Sequence, residues 1–249
     1  MRIPFLAGNM KMFKTSKESA ELAQGLKSAL AGVTDREIAL CPSFTSLEKV
    51  VSVLSGSNIA VGAQDLHWEK DGAFTGEISA QMLSEIGCKY VIIGHSERRQ
   101  YFHEQDDTVN KKTKAALEAN LKPIVCVGET LHEREYKKTH DVVDRQIRDG
   151  FRNIASKLAG ELVIAYEPVW AIGTGKTATP EMAQEVHLFI RNILRETYGN
   201  EVSDKVRILY GGSVKPDNIK GLMREKDIDG ALVGGACLKV DSFTQIVKY

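Results

Sequence analysis

The chain has 249 residues, with 33 Lys or Arg balanced by 33 Asp or Glu, so its formal net charge is zero. A balanced surface argues against nucleic-acid binding through a broad basic face and leaves any anionic ligand to a local field. No stretch approaches the ~20 apolar residues of a membrane span, and the apolar run in residues 1–9 is too short for a signal peptide. Cys41, Cys88, Cys126 and Cys237 lie far apart without a C-x-x-C pair, which reads as reduced thiols in a cytoplasmic protein.

Short β-rich runs recur in chain order at residues 5–8, 38–41, 59–62, 90–94, 123–128, 162–167, 206–211 and 231–234. Most are apolar without clean alternation, as expected of parallel strands covered on both faces. Amphipathic segments lie between them. Leu22, Leu26 and Leu30 form one stripe, Val143, Ile147, Phe151, Ile154 and Leu158 a second, and Met182, Val186, Phe189, Ile190 and Ile193 a third. Thr15 and Thr45 each have Glu three residues on, a capping-box pattern, and Thr179-Pro180 reads as N-cap and first helical residue. Eight strands alternating with helices allow a closed barrel or an open doubly wound sheet. The first strand is followed by Gly8-Asn9-Met10-Lys11 where a dinucleotide-binding sheet would carry G-x-G-x-x-G. No linker divides the chain, and a single (β/α)8 barrel domain over residues 1–249 is expected.

In such barrels the active site lies at the C-terminal ends of the strands. The polar residues at those ends are Asn9 and Lys11, His95-Ser96-Glu97, Glu167-Pro168, Gly211-Gly212-Ser213 and Gly234-Gly235. Strand alternation turns Asn9 and Lys11 to one side and Met10 to the other. A lysine at a strand end more often snorkels to solvent, and a lone buried histidine is more often structural; both gain meaning from being grouped. His95 stands where a helical turn begins, which predicts a depressed pKa and a neutral donor. Glu167 ends an apolar run, and Pro168 holds it extended. The next segment comprises Val169, Trp170, Ala171, Ile172, Gly173, Thr174, Gly175 and Lys176, and with Pro168 it reads as a lid. Two Gly-Gly turns after the last two strands suit the approach of backbone N–H groups to an oxyanion. Gly175-Lys176-Thr177 mimics the end of a P-loop, but the required first glycine falls on Trp170. The remaining histidines, His67, His103, His132, His140 and His187, show no metal-ligand spacing.

Residues 90–99 (YVIIGHSERR), 165–177 (AYEPVWAIGTGKT), 210–214 (YGGSV), 126–129 (CVGE) and 72–77 (GAFTGE) resemble the triosephosphate isomerase family, in the family's order and along almost the whole chain. The resemblance implies interconversion of dihydroxyacetone phosphate and glyceraldehyde 3-phosphate without a cofactor. It implies Glu167 as base, His95 as neutral electrophile, Lys11 as electrostatic partner and Asn9 as a substrate contact. Glu97 would lie near Lys11 and Ser96 would support His95. Gly173, Ser213, Gly234 and Gly235 would hold the phosphate. A carboxylate base beside an uncharged imidazole is a known feature of this family and comes with the resemblance, as does a closing lid. It further implies a homodimer, in which Thr75 on the long segment 64–77 approaches the partner's active site.

The chain departs from the family pattern at Met10 and Phe13, where Trp and Asn are usual, and at Cys237, where Ser is usual. Altered packing is the expected consequence. Two other readings compete: a Schiff-base aldolase with Lys11 as nucleophile, and an inactive phosphate-binding scaffold. Survival of Lys11, His95 and Glu167 together with both Gly-Gly turns weighs against the scaffold.

Overall fold

A computed structural model describes residues 2–172 and 178–249. Its strands are β1 (Phe5–Asn9), β2 (Glu37–Cys41), β3 (Ile59–Ala63), β4 (Tyr90–Ile93), β5 (Lys122–Val127), β6 (Val163–Tyr166), β7 (Arg207–Tyr210) and β8 (Gly230–Val233). They run parallel in sequence order and close into a barrel through β1, where Phe5 lies opposite both Glu37 of β2 and Gly230 of β8. Helices cover the outside, as the alternating pattern predicts. Among the described residues, no helix is long and apolar enough to cross a membrane.

The side-chain period of two sorts every strand between two cores. Phe5, Ala7, Tyr90, Ile92, Ile124, Cys126, Val163 and Ala165 belong to the barrel interior, together with Ala39, Cys41, Leu209 and Leu232. Their neighbours Leu6, Ile38, Val91, Val125, Ile164 and Ile208 join the layer between barrel and helices. Buried Met10 belongs to that outer layer, so the departure from the family pattern at position 10 is a packing change away from the cavity. The helix Pro180–Tyr198 places Arg191 in the same layer, almost wholly buried. Its guanidinium bonds Asp229 at 2.6 Å and the carbonyls of Ser203 and Val206 at 2.6 Å each. Asp229 in turn accepts the Ile208 N–H at 2.8 Å, so one buried ion pair ties the outer helix to β7 and to the approach of β8.

Several sequence expectations change at element ends. Gly94 is not strand; at φ +67° it turns the chain out of β4. Gly128, Leu162, Glu167, Val206, Gly211 and Gly234 also fall outside their strands, while Asn9, Glu37, Ala63, Lys122 and Gly230 fall inside. The capping box at Thr15 forms with Glu18, and Thr179 caps Pro180–Tyr198. Thr45 forms none. It lies within a short 3-10 helix, Phe44–Ser46, so the α-helix begins only at Leu47 and Glu48 falls in its first turn. A capping box absent from the sequence reading forms instead at Thr130 with Glu133.

The second amphipathic stripe is broken as well. The helix Thr139–Gly150 stops before Phe151, and Asn153 takes a positive φ of 61° that turns the chain. Ile154 is buried beyond that turn, and Leu158 packs from a separate helix, Ser156–Ala159. Apolar spacing records which side chains reach the core, and a turn can satisfy it as well as a helix.

Closure at β8 depends on Gly230. Its φ is +151°, and a Cβ there would lie 1.9 Å from the Phe5 carbonyl oxygen. Gly230→Ala is expected to lower unfolding stability by on the order of 3 kcal/mol, read as a lower midpoint in urea; an unchanged midpoint would mean that this junction relaxes freely.

Candidate active site

The predicted polar residues meet at one mouth of the barrel, by three different local routes. Asn9 and Glu167 get there by strand alternation: Asn9 continues the inward set of Phe5 and Ala7, and Glu167 that of Val163 and Ala165. Lys11 does not follow the alternation expected of it. It lies beyond β1 at φ +50°, in a turn whose backbone N–H donates to Asn9 Oδ1 at 3.0 Å. Gln64 holds that turn from the end of β3, its side-chain amide donating to the Lys11 carbonyl at 2.8 Å and the Cys41 carbonyl at 2.9 Å. His95 arrives by a third route. The left-handed Gly94 redirects the backbone, and His95 becomes the N-cap of the helix Ser96–Tyr101.

His95 Nδ1 accepts the backbone N–H of Glu97 at 3.2 Å, which leaves Nε2 to carry the proton of a neutral imidazole. Nε2 lies 2.9 Å from Glu167 Oε1. The other carboxylate oxygen, Oε2, accepts the Ser96 backbone N–H at 2.8 Å. Ser96 therefore braces Glu167 with its main chain. Lys11 Nζ pairs with Glu97 Oε1 at 2.6 Å, beside the same opening.

Asn9, Lys11, His95, Glu97 and Glu167 share a cavity of about 530 Å³ with Ile172, Gly211, Gly212, Ser213, Gly234 and Gly235. Both Gly-Gly turns thus face the carboxylate and imidazole across one space. Of the predicted lid, Val169–Ala171 forms a 3-10 helix and Ile172 lines the cavity. Gly173, Thr174, Gly175 and Lys176 lie outside the described residues. Thr75 sits on an exposed tip, residues 71–77, and is not among the residues lining this chain's own cavity. The segment beneath that tip is braced. His67 stacks on Trp68 and contacts Phe74, and Asp65 pairs with Lys112 at 2.7 Å and Arg98 at 2.9 Å.

Three contributors escaped the sequence reading. Gln64 is one. Cys126 is another: its inward thiol is pushed well above the ordinary range by burial and by Glu167, and so stays uncharged against the carboxylate. The third is Glu129, fully buried, which accepts the Trp170 indole N–H at 2.9 Å. Cys126 and Glu129 stand at the two ends of the CVGE motif, which marked them without giving either a role, whereas nothing local marks Gln64.

Burial opposes charge on both members of the central pair, yet each offsets that cost for the other. For Glu167, burial is outweighed by His95, the Ser96 N–H and Lys11, and its pKa lies below the ordinary 4.5. For His95, burial is outweighed by Glu167 and then Glu97, and its pKa lies above the ordinary 6.5. This corrects the expectation of a depressed value. The carboxylate touches the imidazole directly and overrides the helix N-terminus. The raised histidine contributes stability that is fully present below about 6.5 and is lost as pH rises through its folded value. The lowered carboxylate contributes stability present above about 4.5 and lost as pH falls through its folded value. The pair therefore stabilises most between those two values. In Glu167→Gln, the His95 ring is expected to titrate at lower pH than in the unsubstituted protein, followed by NMR of the imidazole; an unchanged midpoint would mean that Glu167 does not set it.

Similarity to known proteins agrees with this geometry. The family model described as triosephosphate isomerase matches residues 4–249. Proteins named triosephosphate isomerase from Endomicrobium trichonymphae and Carboxydothermus hydrogenoformans are each 58% identical to the chain, covering 100% of it and 99% of their own length. A crystal structure of triosephosphate isomerase from Bartonella henselae superposes with a TM-score of 0.90 at 41% identity, covering 98% of this chain and 97% of the other. With a closed eight-stranded barrel and full-length similarity of this extent, the chain belongs to the triosephosphate isomerase family.

Proposed function

We propose that the chain, acting as one barrel domain, interconverts dihydroxyacetone phosphate and D-glyceraldehyde 3-phosphate by proton transfer through an enediolate. The observation that carries this reading is the meeting of Glu167 and His95 at 2.9 Å in a cavity that also holds Lys11 and both Gly-Gly turns. Glu167 takes a proton from the carbon next to the carbonyl. The C–H electron pair becomes a C=C bond, and the carbonyl oxygen takes up the displaced charge. His95 donates from Nε2 to that oxygen, and the Lys11 ammonium stabilises the negative charge as it develops. The hydroxyl proton of the first carbon then passes by way of His95 to the former carbonyl oxygen, the new carbonyl forms on the first carbon, and Glu167 returns its proton to the neighbouring carbon, which completes the isomerisation. No electrons enter or leave, so the chemistry calls for no redox cofactor.

Substrate lying between base and imidazole removes the direct Glu167 contact that raises the His95 pKa. The Glu97 N–H to Nδ1 bond remains, and it favours the neutral form with its proton on Nε2. Asn9 contacts the substrate at the end of β1. Glu97, paired with Lys11, fixes the direction of the ammonium. Ser213, Gly234 and Gly235, which line the same cavity, hold the phosphate together with Gly173. Pro168 and the residues to Lys176 act as the lid. By excluding water and gripping the phosphate, the lid suppresses its expulsion from the enediolate.

We also infer a homodimer in the cytoplasm. Met12, Phe13, Phe74, Tyr101 and Phe102 are large apolar residues left exposed near the braced segment that bears Thr75, the kind of surface that a second copy would cover. All four cysteines are free and buried, which suits a reducing compartment.

Glu167→Gln is expected to lower isomerase kcat by about 10²–10⁴-fold in a coupled assay with glyceraldehyde 3-phosphate. Turnover within a few fold of the unsubstituted protein would remove Glu167 as the base. Light scattering is expected to report about twice the 27.5 kDa chain mass; a fully active monomer would defeat the dimer.

A further inference from the structure

Gly8 makes a gap in the outer face of β1. Strand alternation places it between Leu6 and Met10, two large side chains of the layer beneath the helices. It is paired on both edges, with Leu40 of β2 and Val233 of β8. Cys237 fills the gap. After β8 the chain turns at Gly234 into the 3-10 helix Gly235–Leu238, and the wholly buried Cys237 side chain lies over Gly8. A Cβ added at Gly8 would stand 3.0 Å from Cys237 Cβ, 3.3 Å from Cys237 Sγ and 3.2 Å from Leu40 Cδ1.

These two neighbours differ in what they can yield. Leu40 Cδ1 is the tip of a side chain and can rotate away. Cys237 Cβ moves only with its own backbone, whose N–H donates to the Gly234 carbonyl at 2.9 Å. Ladders hold β1 on both edges, so the short 3-10 helix is the side that gives. Burial pushes the Cys237 thiol up to about 12, against the pull of Lys11 and Lys14, so it is uncharged and brings size to the contact. On its other side the same turn faces the active-site cavity, which Gly234, Gly235 and Ala236 line. A Cβ at Gly234 would stand 3.4 Å from Lys11 Cε, so the turn also runs against the stem of the lysine. Cys237 thus separates a strand fixed on both edges from the backbone that borders the cavity.

We propose that Cys237 is a positioning residue for this turn: its close fit on Gly8 sets how far the Gly234–Gly235 backbone projects into the cavity. The inference rests on the reading above, in which that turn holds the phosphate of the substrate. A methyl group added to the contact displaces the turn by a few tenths of an ångström. Oriented contacts fall off by about 10²-fold per ångström of misplacement, which makes such a shift worth about three- to tenfold.

The experiment pairs a ligand that carries a phosphate with a substrate that lacks one, on the full chain. Gly8→Ala is expected to raise the Kd of 2-phosphoglycolate, by calorimetry, about three- to tenfold, and to leave turnover of unphosphorylated glyceraldehyde, followed by deuterium uptake from deuterium oxide, within about twofold. Unchanged affinity overturns the proposal. So does a loss of glyceraldehyde turnover as large as the loss of affinity, which marks a general disturbance of the barrel mouth. A second arm isolates the contact. In a Cys237→Gly background no side chain stands over position 8, and Gly8→Ala is expected to leave the Kd unchanged. The same rise in both backgrounds means that the effect runs through Leu40 and removes the role of Cys237. Should Gly8→Ala fail to fold, Cys237→Val adds a methyl to the same contact from the helix side, and the same split between ligand and substrate is expected. An unsubstituted chain without isomerase turnover would remove the function and this inference with it. An active chain whose affinity ignores both substitutions removes only the positioning role.

Discussion

A carboxylate buried to 2% exposure at the mouth of the barrel is the constraint around which the rest of the structure is arranged. An ionised group in such a place is costly unless it is paired and hydrogen-bonded. Glu167 has both kinds of partner, the His95 imidazole on one oxygen and the Ser96 N–H on the other. Those partners come from the end of β4, whereas Glu167 follows β6, and β5 lies between them in the sheet. The contact therefore reaches over the end of β5, and it depends on the inward curvature of the sheet, since strands two apart in a flat sheet stand about 10 Å from each other.

The supports around this pair divide the labour by chemistry. Backbone groups do the fine placement: the Glu97 N–H chooses the histidine tautomer, and the Ser96 N–H chooses where the carboxylate rests. Charged side chains set the field. Lys11, held towards the cavity by Glu97, lowers the pKa of Glu167 and opposes charge on His95. A second layer from the β5 loop, centred on Glu129, governs the chain just beyond Glu167 without entering the cavity. The reacting groups and the supports of the chain beyond Glu167 are thus separate sets of residues.

Much of the fold was legible because parallel strands covered on both faces must be apolar runs, and helices packed on them must carry a stripe. All eight runs were placed within a residue or so of their strands. The errors cluster at ends, where a single residue's backbone geometry decides the outcome: Gly94 leaves β4, Thr45 enters a 3-10 turn, and Asn153 interrupts an apolar stripe that continues beyond it. Spacing alone carries no sign of φ. The same holds for the site. Asn9 and Glu167 follow from alternation, while Lys11 owes its direction to a positive φ and a brace from Gln64 that is 53 residues distant.

By itself, then, the sequence determined the alternating architecture, the strand ends that bear polar groups, and membership of a family through several motifs in order. These are properties of local composition and pattern, readable one segment at a time. Only the tertiary structure decided that His95 and Glu167 touch, that this contact raises the histidine pKa when the helix terminus alone would lower it, and that the Ser96 main chain bonds the carboxylate. The reason is electrostatic. A pKa depends on distances between charges in a medium that excludes water, and those distances are fixed by the curvature of the barrel.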